Sequence, residues 1–225
     1  MIVSFTKKFI FFKPIKTAGS SVEEALSRVC DPKVDIVTPD SHRSGMNHVI
    51  GEVKLFNHIR LPEFLDTGVV SLHQFENDFH KITVCRNPWD KQVSSFWHVM
   101  RIRKTYEGLT RSQIENRYLT DFREYIVSVC RDDREGQQRV SREFFFYEDG
   151  KPFFDSLIRF EYLQRDFDIL CTQLSFPKMQ LPRLKTDTRL LKGDYMGYYT
   201  KETEILVKEC YSEAISFFGY RFGER

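Results

Sequence analysis

The chain has 225 residues, 41% of them hydrophobic and 29% charged, with a net charge of +2. That length suits one α/β domain with room for a helical elaboration, and the composition is that of a folded chain rather than a disordered one. So even a charge balance excludes nucleic-acid binding by bulk electrostatics, and any anion must be held by local groups.

Cys30, Cys85, Cys130, Cys171 and Cys210 are odd in number and widely spaced, with no CxxC pair. A disulfide framework and a zinc site are both disfavoured, and Cys85, Cys130 and Cys171 read as buried free thiols in apolar runs. No stretch approaches the ~20 apolar residues of a membrane span. The opening MIVSFTKKFIFF is broken by Lys7 and Lys8 and lacks a small-residue cleavage site. It reads as a first strand rather than a signal peptide, and the protein reads as cytoplasmic.

Phe9 to Phe12 is a short, wholly apolar run, as expected of a buried parallel strand. It ends at Pro14, and a helix follows from about Ser20 to Val29, with Val22, Ala25, Leu26 and Val29 at helical spacing. Residues 38–51 are polar and turn-rich and read as a loop. Leu61 to Leu65 reads as a short helix closed by Gly68. Lys81 to Cys85 is a second apolar strand that runs into a helix ending near Met100. Residues 101–142 are charged and mostly helical, with Phe122, Tyr125, Ile126 and Val129 on one face. The stretch 143–154 predicts a strand, a turn at Asp149-Gly150 and a return. Leu157 to Phe160 is another short strand, and helices fit Tyr162 to Leu174 and Lys201 to Phe218. Alternating strands and helices point to a mostly parallel sheet.

Two segments carry chemistry. In FIFFKPIKTAGSSVEEAL an apolar strand enters a tight loop holding Lys16 and Gly19, and Thr17, Ser20 and Ser21 lead into a helix. Backbone N–H groups at a helix start, with the positive end of its dipole, attract phosphate. The hydroxyls add donors and Lys16 a point charge. The Gly-x-x-x-x-Gly-Lys-(Ser/Thr) pattern of a Walker A loop is absent. A plainer account is also open: Ser20 and Glu23 are spaced as an ordinary capping box. In VCRNPWDKQVSSFWHVM, Arg86 follows a strand, Asn87 can cap, Pro88 suits the first helical position and Asp90 the first turn. Arg86 and Ser94 could hold an anion over that helix; alternatively Arg86 pairs with a carboxylate and Ser94 faces a neighbouring helix.

Together these segments resemble the sulfotransferases that use 3′-phosphoadenosine 5′-phosphosulfate (PAPS), particularly the carbohydrate (Golgi-type) branch and its bacterial relatives. PIKTAGSS is similar to that family's 5′-phosphosulfate loop, Pro-Lys-Thr-x-x-(Ser/Thr)-(Ser/Thr), although Ile15 stands between Pro14 and Lys16. VCRNPWDKQVSSF is similar to its 3′-phosphate motif, with Ser94 eight residues after Arg86. RFEYLQRDF, LPRLK and the closing helical segment also resemble the end of family members. The resemblance implies a P-loop-like three-layer α/β fold, with a mostly parallel central sheet flanked by helices. It implies a single sulfotransferase domain over 1–225, elaborated by helices at about 101–142. It gives Lys16 the phosphosulfate and its leaving oxygen, gives Thr17, Ala18, Gly19, Ser20 and Ser21 the 5′-phosphate, and gives Arg86 and Ser94 the 3′-phosphate. PAPS is the expected donor, a hydroxyl, by family default a carbohydrate, the expected acceptor, and no metal, nucleic acid or transmembrane segment is expected.

Transfer to an alcohol needs a base. FNHIRLPEFLDTG resembles the family's histidine segment, which favours His58, with His73 next and Glu52 if neither serves. His42, His48, His80 and His98 complete the histidines, and His98 reads as a packed residue. Basic clusters at Arg101, Arg103 and Lys104 and at Arg183, Lys185, Arg189 and Lys192 fit either solvated faces or contacts with an anionic acceptor; the second could also close over the cofactor. Phe144 to Tyr147 reads as core strand. A small-molecule kinase and a noncatalytic nucleotide-binding protein are the rival classes. The first would need a Walker A loop and a Mg²⁺-binding Asp at a strand end.

Overall fold

A computed structural model describes residues 1–38, 55–184, 189–191 and 193–224, and residues 49–50 and 53–54 by backbone alone. The chain divides into two compact units, Met1–Cys85 with Glu143–Leu184, and Arg86–Arg142 with Lys185–Arg225.

The first unit is built on a five-stranded sheet of order β3-β1-β2-β6-β7. Its strands are β1 (Ile2–Ser4), β2 (Phe9–Phe11), β3 (Ile36–Val37), β6 (His80–Cys85) and β7 (Ser156–Arg159). β2 is parallel to β6 and β6 to β7, whereas β1 is antiparallel to both β2 and β3. Four strands thus point one way and β1 alone is reversed, so the sheet is mixed. The opening stretch, expected as one strand, is a hairpin. Its polar Thr6-Lys7-Lys8 cannot be buried and turns outward, with Lys8 at φ 55° and the Thr6 N–H bonded to Asp35 Oδ1 at 2.9 Å. A separate antiparallel pair joins β4 (Val49–Ile50), within the segment 38–51 expected as a loop, to β5 (Val53–Lys54) just beyond it.

β2 is apolar throughout because both its faces are covered. Phe9 and Phe11 pack with Val22, Ala25 and Leu26 of α1 (Gly19–Ser27) and with Phe167 and Leu170 of α8 (Leu163–Gln173). Ile10 and Phe12 pack the other way, with Phe64 of α2 (Leu61–Asp66) and Phe75 of α3 (Leu72–Asn77). The period-2 alternation of a strand makes this division. Each fully buried Phe or Ile stabilises by roughly 1.5–3 kcal/mol. The hairpin expected at 143–154 shrinks to one bridge, Phe146 with Pro152, because a proline has no N–H to extend a ladder.

The second unit is helical. α4 (Pro88–Ile102) starts it, followed by α5 (Arg111–Glu115), α6 (Tyr118–Val127), a π-helical turn at Ser128–Asp132, α7 (Arg134–Glu143), α9 (Lys201–Cys210) and α10 (Ser212–Phe218). The helix expected over 201–218 is broken at Tyr211, whose φ and ψ of −110° and 26° leave the helical region. Trp89, Val93, Phe96 and Trp97 of α4 form the centre of this unit's core with Phe122, Ile126 and Tyr198. Trp97 Nε1 donates to Tyr198 Oη at 3.0 Å and Trp89 Nε1 to the Glu204 carbonyl at 3.0 Å, so the buried indoles keep their hydrogen bonds. The five cysteines are free, and all but Cys30 are buried. Among the described residues no helix is long and apolar enough to cross a membrane.

Candidate functional site

The first unit presents the loop from Lys13 to Ala18 between β2 and α1. Lys16 and Ala18 adopt left-handed backbone conformations, φ 62° and 63°, while Thr17 between them does not. Non-glycine residues enter that region at a cost of roughly 1–3 kcal/mol each and do so where the surroundings enforce it, often at functional sites. Left-handed residues alternating with right-handed ones can turn successive backbone N–H groups toward a common side, as in an anion-binding nest. α1 then begins at Gly19, with Ala18 as N-cap and no side-chain cap bond. The capping box of Ser20 and Glu23 is therefore not formed, because the helix starts before Ser20 and the Glu23 carboxylate turns into the interior.

There Glu23 meets Lys13. Lys13 Nζ lies 2.8 Å from Glu23 Oε2, and the two side chains are 1% and 0% exposed. The amino group of Met1 lies 2.6 Å from Glu23 Oε1. Burial alone would push the Glu23 carboxyl up; the ammonium groups of Met1 and Lys13 beside it hold it below its ordinary value instead. The Lys13 methylenes run against Gly19, and a Cβ there would fall 2.2 Å from Lys13 Cγ. Gly19 is thus fixed by close approach, not by a positive φ. Thr17 is buried and its hydroxyl donates to the Pro14 carbonyl at 2.8 Å, so its one O–H is spent inside the turn rather than kept for a phosphate. Ser21 is buried too, its hydroxyl accepting from the Leu184 N–H at 3.3 Å. Lys16, Ala18 and Ser20 are half-buried at the loop surface.

His58 is bound to this loop. Its Nδ1 lies 2.7 Å from the Lys13 carbonyl oxygen. A carbonyl only accepts, so Nδ1 carries the proton, and in the neutral ring Nε2 holds the lone pair of a base. His73 sits exposed on α3, its carbonyl accepting from Asn77 Nδ2 at 2.8 Å, and no bond from its ring to the loop occurs among the described residues. His80 opens β6 with Nε2 2.7 Å from Ser156 Oγ, and His98 is half-buried on α4. His42, His48 and Glu52 lie outside the described residues.

In the second unit, Asn87 Oδ1 accepts from the Trp89 N–H at 3.0 Å and caps α4, with Pro88 at its first position. Arg86 Nε and Nη2 both reach Asp90 Oδ2, at 2.8 and 2.6 Å, and Arg189 Nη2 reaches Asp90 Oδ1 at 2.5 Å. Arg86 thus has the carboxylate partner that its sequence context allowed, and Arg189 brings a second guanidinium to the same acid. Ser94 is buried on α4, four residues beyond Asp90 and so on the same stripe of the helix. Burial would push the Asp90 carboxyl up, but the charges of Arg86 and Arg189 bring it below the ordinary aspartate value. A lowered folded-state pKa stabilises above the unfolded value of about 3.9 and is lost as pH falls through the folded value. Asp90→Asn is therefore expected to lose about 1.5–3 kcal/mol at pH 7, where charge-assisted bonds are intact. The gap to wild type should shrink toward pH 2 in urea titrations run at both pH values. A gap that stays constant with pH would contradict it.

Of the basic clusters, Arg101, Arg103 and Lys104 are exposed, as is Arg183. Arg189 turns inward to Asp90, and Lys185 and Lys192 lie outside the described residues. Phe144, Phe145 and Phe146 are buried. Sequence reasoning passed over Lys13. The available signal was a lysine ending a wholly apolar strand with Glu23 on the apolar side of the next helix, two charges that can be buried only together. Among the described residues no group of three or more His, Cys, Asp or Glu side chains is placed to hold a metal ion. Comparison of the chain with protein-family models, with curated proteins and with solved structures finds no match to any of them.

Proposed function

We propose that the chain is a PAPS-dependent sulfotransferase acting on a hydroxyl, by family default that of a carbohydrate, and that its sheet and flanking helices make a P-loop-like arrangement. The observation that carries this reading is the β2–α1 loop. Lys16 and Ala18 are held left-handed between a strand end and a helix start, and His58 is hydrogen-bonded to the first residue of the same loop. Strain kept at a loop that would otherwise relax supports an anion site there.

In the proposed reaction the neutral His58 takes the acceptor's proton at Nε2. The acceptor oxygen bonds to sulfur in line with the leaving oxygen, and the bond from sulfur to the phosphate oxygen breaks. Lys16 and the backbone donors at 17–20 meet the charge that builds on that oxygen, the Ser21 N–H being bonded to the Ala18 carbonyl at 3.0 Å. The products are the sulfate ester and 3′-phosphoadenosine 5′-phosphate. Arg86 and Ser94 would take the 3′-phosphate, with Asp90 keeping the Arg86 guanidinium in place until it does. The free cysteines support a reducing, cytoplasmic setting.

A small-molecule kinase is the second reading, and it is less well supported because Lys16 precedes Gly19 rather than following a Walker A glycine. A transfer assay with labelled PAPS over a panel of sugars, lipids and phenols tests the proposal. Label is expected on at least one hydroxyl acceptor, and with Lys16 and the helix start meeting the charge, turnover should persist in EDTA. Phosphoryl transfer from ATP, or complete loss in EDTA restored by a divalent ion, would replace it.

A further inference from the structure

We infer that Lys13, a residue outside both phosphate motifs, is a positioning residue that holds the anion loop and the base in register with each other. The kinetic part of this inference rests on the sulfotransferase reading; the geometric part does not. Three contacts meet in this one residue. Its ammonium is buried against Glu23 at 2.8 Å, its methylenes form the floor beneath Gly19, and its carbonyl lies 2.7 Å from His58 Nδ1.

Each contact limits a different freedom. The buried ion pair fixes the end of the Lys13 side chain, because separating the two charges in the interior is strongly unfavourable. With that end fixed, the methylenes lie where only a hydrogen can face them at position 19, which sets the height of the α1 start. The main chain at 13 is held between β2 and this anchored side chain, so its carbonyl has one direction. That direction selects the Nδ1–H form of His58 and leaves Nε2 as the basic atom. Three residues further along the chain is Lys16, the residue assigned to the leaving oxygen. One side chain thereby ties the proton acceptor to the group that stabilises the leaving charge, and a shift of about 1 Å between such groups costs on the order of 10²-fold in rate. Lys13 touches neither reactant in this scheme and is not itself catalytic.

The test uses the full chain and Lys13→Met, Lys13→Gln and Lys13→Arg. Methionine keeps the length and removes the charge. Glutamine keeps a donor for Glu23 and serves where methionine does not fold. Nitrogen-15 NMR of the His58 ring reads the tautomer without any assay of turnover. Folded Lys13→Met or Lys13→Gln should show a mixture of Nδ1–H and Nε2–H forms. Turnover should fall about tenfold or more, while affinity for 3′-phosphoadenosine 5′-phosphate changes less than about threefold, a split that a general loss of structure would not produce. Lys13→Arg should restore both the tautomer and the rate. Retention of the wild-type tautomer and rate in the Met or Gln variant would overturn the inference, as would an Arg variant that behaves like Met. If the wild type transfers no sulfuryl group at all, the sulfotransferase reading fails, and the tautomer measurement still decides the role of Lys13.

Discussion

Lys16→Ala is expected to lower kcat by about 10²–10³-fold, the usual effect of removing one preorganised charge from a site where negative charge develops. The same substitution should weaken binding of 3′-phosphoadenosine 5′-phosphate by much less, about tenfold at most. The difference follows from where Lys16 sits. In the proposed site the loop and the α1 start would supply backbone donors to the phosphate in ground state and transition state alike, so the nucleotide would keep most of its contacts. The ammonium matters most when the bridging oxygen takes up the electron pair of the breaking bond. Lys16→Arg would not be a conservative change, since a planar fork would replace the compact point charge assigned to a single developing oxyanion. Single-turnover kinetics beside equilibrium binding separate the two effects. Full activity in Lys16→Ala would reduce the loop to an ordinary strand–helix connection.

His58→Ala is expected to leave nucleotide affinity intact and to lower turnover by about 10²-fold or more, the range for loss of a general base. Since Nδ1 is committed to the Lys13 carbonyl, His58→Gln should rescue little: it can keep that hydrogen bond but offers no base. His73→Ala separates the two candidates. If it abolishes turnover and His58→Ala does not, the base moves to His73 and the sulfotransferase reading stands. If neither matters, Glu52 or another carboxylate becomes the candidate.

What could be read from the sequence was local. The apolar strand before the loop, the Asn87 cap with Pro88 after it, and the helical 101–142 all depend on neighbours within a few residues, where periodicity and capping chemistry act. What escaped was decided by partners far along the chain. The opening stretch folds back because Asp35, about 30 residues on, gathers Ser4 and Thr6, their hydroxyls at 2.8 and 2.5 Å. Glu23 has the spacing of a capping residue, yet buried cations at Lys13 and Met1 outcompete the helix N-terminus for it. Arg189 reaches Asp90 across 99 positions, and His58 reaches Lys13 across 45, and no spacing rule announces either. Of the six histidines the resemblance favours His58, and its bond to the loop carbonyl is what the sequence could not announce. The Thr17 hydroxyl, read as a phosphate donor, is bonded inside its own turn, since a buried hydroxyl takes the nearest carbonyl.

The measurement that bears most directly on the central claim is calorimetric titration of the full chain with 3′-phosphoadenosine 5′-phosphate, AMP and ATP at one salt concentration. AMP shares the 5′-phosphate and the adenosine and lacks only the 3′-phosphate. Arg86 and Ser94 are assigned to that group, and charge-assisted hydrogen bonds contribute about 1.5–3 kcal/mol each, so the doubly phosphorylated nucleotide should bind more than about tenfold tighter than AMP. Arg86→Ala should remove most of that preference while leaving AMP affinity unchanged. Equal affinity for 3′-phosphoadenosine 5′-phosphate and AMP, or a preference for ATP over both, would contradict the account.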